Sequence, residues 1–121
     1  QKIKNAKENN LDHISLFGSG TPLRQFMHAS DLAKIIALYV LTKCNTSFNV
    51  APDINMSVEN IALTALSTCV EEYPLCIKYD DSKPNGQHRK DVDTTIFKSI
   101  MPDFEFKSLE KGIKEVYEHY K

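Results

Sequence analysis

Two glycine-containing turns hold the residues of this chain best suited to chemistry. The first runs Phe17-Gly18-Ser19-Gly20-Thr21-Pro22-Leu23-Arg24-Gln25-Phe26, and the second Asp80-Asp81-Ser82-Lys83-Pro84-Asn85-Gly86-Gln87-His88-Arg89-Lys90. Glycine and proline specify tight turns, so each arginine follows a rigid mount and loses little freedom on gripping a ligand. A guanidinium fork matches two phosphate oxygens at once. The pattern suggests a site for an anion, with phosphate as first candidate. Neither turn sets a nucleophile beside a base, so the chain reads as built to hold a ligand more than to transform it.

Each of these residues has a plainer reading beside the functional one. Arg24 can be a surface arginine whose stem covers apolar area, or a fork offered to a diphosphate. The stretch from Lys83 to Lys90 can be a solvated connection, although Pro84-Asn85-Gly86 specifies a turn and Asn85 can both donate and accept. Phe17 can stack on a flat ring or join the core. His13, His28, His88 and His119 fall in four different elements with no metal-ligand spacing, so no metal site is expected. His28, close to Ser30 and Asp31, reads as a structural hydrogen-bonder. Asp80 and Asp81 are neighbours in an extended loop and point apart, which is poor geometry for a paired acid and base.

The totals bound these readings. The chain has 121 residues, enough for one domain with a real core. Its 41% hydrophobic and 26% charged content is that of an ordinary globular protein, and its net charge of −1 draws in neither nucleic acid nor an acidic membrane surface. Three cysteines, Cys44, Cys69 and Cys76, lack any Cys-x-x-Cys spacing. Odd in number and set among apolar residues, they read as buried thiols of a reducing compartment, which points to the cytoplasm. No apolar run is long enough to span a bilayer, and no signal peptide is visible. The chain starts without Met in what reads as a helix already under way, so a fragment of a longer protein is expected.

These turns need a frame, and the pattern supplies one of helices and short strands in alternation, an α/β class. Gln1 to Asn10 is helix-compatible, with Asn9-Asn10 as the stop. Ile14 to Phe17 reads as a strand entering the first turn, and Gln25 to His28 leaves it extended. Ser30 or Asp31 is placed to cap a helix running to about Thr42, so apolar around its circumference that it should be buried on more than one side. Ser47 to Val50 is a strand candidate. Ser57 should cap an amphipathic helix through Val70, and Leu75 to Tyr79 should be a strand leading into the second turn. Asp93 should cap a short helix ended by Pro102, and Ser108 should open a last helix with Leu109, Ile113, Val116, Tyr117 and Tyr120 on one side.

Taken together, the two turns are similar to a known pattern. Phe17 to Phe26, followed by His28 and Ser30-Asp31-Leu32-Ala33, resembles the carboxyl-terminal domain of the extended short-chain dehydrogenase/reductases, the NAD-dependent epimerase/dehydratase family, and most of all its GDP-L-fucose synthase branch. Phe48-Asn49-Val50, the Ser57-Val58 helix start, Tyr79 to Lys90, and Met101-Pro102-Asp103-Phe104 through Ile113 match in order and spacing, so the likeness spans essentially the whole chain. The resemblance implies a small mixed α/β substrate-binding domain of about five helices over residues 1–121, without the Rossmann domain. It implies NADPH as cofactor of the full-length enzyme, bound elsewhere, with no metal. The implied reaction is epimerisation at carbons 3 and 5 of GDP-4-keto-6-deoxymannose, then reduction of its ketone.

By the same resemblance the catalytic Ser, Tyr and Lys belong to the N-terminal dinucleotide-binding domain. No Gly-x-Gly-x-x-Gly turn occurs here, and no residue is assigned a catalytic role. Partners implied are the GDP-sugar, that N-terminal domain, and a second subunit in a homodimer. Arg24 matches the substrate-binding arginine, and Phe17 falls where many members have tryptophan. Asn85 falls where members often have Asp, Lys2 falls near a basic residue on the diphosphate, and Arg89 follows the turn as in related epimerases. Two alternatives stay open: the substrate domain of another nucleotide-sugar epimerase or dehydratase, and a stand-alone nucleotide-sugar-binding module.

Overall fold

The computed structural model describes residues 1–42, 45–70 and 74–120. In chain order the elements are α1 (Lys2–Glu8), β1 (His13–Phe17), β2 (Leu23–Arg24), α2 (Ala29–Thr42), β3 (Met56–Ser57), α3 (Val58–Cys69), β4 (Cys76–Asp80), α4 (Thr95–Ile100) and α5 (Leu109–His119). This is the small mixed α/β fold expected. Parallel β1 and β4 pair from His13–Cys76 to Phe17–Asp80, and β2 pairs antiparallel with β3. The β1–β4 register matters most for the site. It ends both strands side by side, so the first turn after Phe17 and the second after Asp80 leave the sheet together.

Several local signals act as read. Ser57 and Ser108 each accept from the third amide of the following helix, that of Asn60 and of Lys111. Asp93 works one residue ahead of the cap position, taking the amide and hydroxyl of Thr95, and these two bonds hold its carboxyl below the usual range.

Four expectations are corrected. Ser47 to Val50 forms no strand; Phe48 turns its ring into an aromatic cluster instead, stacked 6.1 Å from Phe97. The second helix begins at Ala29, so Ser30 and Asp31 lie within it. The capping group is the His28 imidazole, whose Nδ1 takes the Ser30 amide at 3.2 Å and meets the Ser30 hydroxyl at 2.7 Å. That helix is also not buried on several sides. Only Asp31 and Ile35 are buried, while Leu32, Ile36, Val40 (71%) and Leu41 (77%) face outward. As for the thiols, Cys69 is buried but Cys76 is exposed, and Cys44 lies outside the described residues.

Two apolar centres hold the fold. Ile3 and Ala6 of α1, Ile14 of β1, and Leu66 and Cys69 of α3 form one, with Ile77 of β4 and Ile113 and Tyr117 of α5 against it. The other is aromatic: Phe97 of α4 sits among Phe48, Phe104 and Phe106. Asp31, 1% exposed, links α2 to the chain before α5 by accepting the Lys107 amide at 2.8 Å. Asp31→Ala would leave that buried N–H without an acceptor, and we expect it to lower unfolding free energy by about 1–3 kcal/mol. Urea denaturation with an unchanged m-value measures this, and a midpoint equal to wild type contradicts it. No helix among the described residues is long and apolar enough to cross a membrane.

Candidate anion-binding seam and family membership

The first turn is gripped from two sides. From one side, the free amides at the start of α3 donate to its carbonyls, Val58 to Pro22 at 3.0 Å and Glu59 to Gly20 at 2.9 Å. From the other, the Gly18 amide donates to Asp80 at 2.9 Å and the Leu23 amide to His88 at 2.7 Å. Leu23 is further bridged to Arg89. Two distant stretches of sequence thus lie along one seam.

Arg24 and Asn85 sit on that seam. Arg24 Nη1 donates to the carbonyls of Leu23 (2.7 Å) and Gln87 (2.9 Å), which fixes the plane of the guanidinium. Its Nη2 lies 3.7 Å from where a β-carbon on Gly86 would be. Asn85 Oδ1 takes the Ser19 amide at 2.7 Å. A β-carbon on Gly18, whose φ is +69°, would come within 2.2 Å of that oxygen, so glycine is required there by both space and backbone. Phe17, at the end of β1, is 63% exposed and takes no core role. The Lys2 ammonium lies 4.9 Å from its ring centre and donates to the Ser15 carbonyl. Arg89 is placed differently: its backbone follows the seam, but its guanidinium is paired with Asp91.

Other chemistry can be judged against this geometry. The Tyr-x-x-x-Lys spacing occurs three times, starting at Tyr39, Tyr79 and Tyr117. The Tyr39 hydroxyl is bonded both ways to Thr46, and that of Tyr117 accepts from Lys7 at 2.9 Å. Tyr79 donates to Glu59, and that bond to a carboxylate, helped by burial, pushes it up to about 12. A tyrosine serving as acid or base at neutral pH needs the opposite shift. Asp80 folds back on Ser82 to close the second turn. Among the described residues no group of three His, Cys, Asp or Glu could hold a metal ion.

Sequence reading missed three supports of the seam. Ser19 is one. Gln25 is another, joining Pro52 (2.8 Å) to the amide of Val92 (3.2 Å). The Tyr79–Glu59 pair is the third. Only Ser19 carried a visible signal, a hydroxyl between two glycines. A hollow of about 270 Å³ lies elsewhere, among Ile3, Phe26, His28, Leu109, Ile113 and Tyr117, and none of the five candidate residues lines it.

Comparison with known proteins places the chain. A family model described as the NAD dependent epimerase/dehydratase family matches residues 1–51. Over 117 residues the chain is 32% identical to the GDP-L-fucose synthase of Dictyostelium discoideum, covering 91% of this chain and 34% of that protein. The crystal structure of a GDP-L-fucose synthetase from Naegleria fowleri bound to NADP superposes with a TM-score of 0.85 at 25% identity, over 98% of this chain and 37% of that one. The chain is similar, in sequence and in fold, to the NAD-dependent epimerase/dehydratase family. It is also 31% identical to the putative GDP-L-fucose synthase 2 of Arabidopsis thaliana, over 99% of this chain and 36% of that protein. The resemblance read from the two turns is borne out. The chain spans about a third of the length of the curated relatives it matches.

Proposed function

We propose that residues 1–121 form the substrate-binding domain of a GDP-L-fucose synthase-type enzyme, binding GDP-4-keto-6-deoxymannose and its product. The observation that carries this reading is the seam itself, where the Arg24 guanidinium is held in a fixed plane beside the Gly86 turn. Arg24 and Lys2 neutralise diphosphate oxygens, the open face of Phe17 packs on the ligand, and Asn85 borders it. Arg89, already paired with Asp91, contributes less charge.

In the whole enzyme, NADPH supplies the hydride that reduces the ketone after epimerisation at carbons 3 and 5. This chain's residues hold and orient the nucleotide-sugar. The catalytic groups and the cofactor belong to a dinucleotide-binding domain. The uncovered apolar stripe on α2 (Leu32, Ile36, Val40) supports such a partner, because an exposed apolar face of that size is costly in water.

The test is thermal unfolding of the chain with GDP, UDP or dTDP. GDP at about a hundredfold excess over its Kd is expected to stabilise by about 2.7 kcal/mol, seen as a rise of several degrees in Tm. Equal shifts with UDP or dTDP would favour another nucleotide-sugar enzyme, and no shift with any of them rejects the binding role. NADPH absorbance is expected to stay constant when the chain is mixed with cofactor and keto-sugar.

A further inference from the structure

We propose that Asn85 is a positioning residue, a latch whose side-chain oxygen joins the two turns and so places Arg24. The Ser19 backbone nitrogen can only donate, so the Asn85 atom 2.7 Å away must be the oxygen. The neighbouring hydroxyls point the same way. Ser19 Oγ lies 3.0 Å from that oxygen and 2.8 Å from the Thr21 hydroxyl, a chain of donors that ends on Asn85 Oδ1.

The latch acts on Arg24 through the next residues along the seam. Gly86 lies beside Nη2, and the Gln87 carbonyl takes Nη1 at 2.9 Å. Residues 81–90 are all exposed, so no packed core holds this strip in place. Beyond the turn that Asp80 closes on Ser82 and Lys83, its ties to the first turn are the Asn85 latch at one end and, at the other, the Leu23–His88 bond with the adjoining Leu23–Arg89 bridge. Releasing the first lets Gln87 move and frees the guanidinium from its plane. An oxygen acceptor is all the latch needs, so Asp serves in place of Asn, with a charge-assisted bond.

What the latch serves rests on the ligand reading above; the latch itself does not. Two variants, Asn85→Asp and Asn85→Ala, separate the roles. Truncation at this exposed site leaves the core untouched. Amide hydrogen exchange at Ser19 is expected to stay as slow as wild type in N85D and to speed up about tenfold or more in N85A. GDP affinity is expected to fall about tenfold in N85A and by less in N85D, where the latch persists. Unchanged Ser19 exchange in N85A overturns the latch. Equal loss of GDP binding in both variants, with Ser19 still protected in N85D, shows instead that the amide nitrogen touches the ligand, and also overturns it. Should wild type fail to bind GDP, the function above is rejected while the exchange measurement still decides the latch.

Discussion

Phe97→Ala should cost the fold about 3–5 kcal/mol, a large part of the stability of a domain this size. Phe97 is 2% exposed and lies at the centre of the aromatic cluster, 6.1 Å from Phe48, 5.9 Å from Phe104 and 5.8 Å from Phe106. Removing it strips apolar contact from three rings at once and leaves a cavity. Those rings come from the loop before α3 and the segment before α5, so little regular backbone can collapse inward to refill the space. The loss therefore falls near the upper end of the range for such truncations. Urea unfolding followed by far-ultraviolet circular dichroism would show the midpoint moving down with the slope unchanged. A loss under about 1 kcal/mol would mean that the cluster does not bear on stability. Phe97→Leu, which retains most of the volume, should fall well short of the alanine change.

Arg24→Ala is expected to have the largest effect on ligand affinity, weakening GDP binding by about 2–3 kcal/mol, or roughly 30- to 150-fold. Two of its bonds go to backbone carbonyls, so the free part of the guanidinium is already oriented before a ligand arrives. Pre-orientation is what makes a charge-assisted bond strong, because no rotamer freedom remains to be lost. Arg24→Lys keeps the charge and loses the planar fork, so an intermediate loss is expected. Titration calorimetry at fixed salt measures both. Binding by Arg24→Ala within about twofold of wild type would remove Arg24 from the site, and would leave the family assignment intact.

The two turns carried the family resemblance because their chemistry is local. Gly-Ser-Gly-Thr-Pro and Pro-Asn-Gly specify backbone shape by residue type alone, and the caps at Ser57 and Ser108 need only a hydroxyl three residues from an amide. Periodicity likewise placed α3 and α5. It failed where a long-range contact won over a local pattern: Phe48 looked like part of a strand until the ring cluster with Phe97 claimed it.

What residue types and spacing determined on their own was the class, the helices, the turns and the list of cations near them. Tertiary structure alone decided which cation is available. It set Arg24 beside Gly86, turned the oxygen of Asn85 onto Ser19, and left the face of α2 uncovered. The physical reason is the parallel β1–β4 register, which brings together residues more than sixty positions apart, and no local rule encodes that separation.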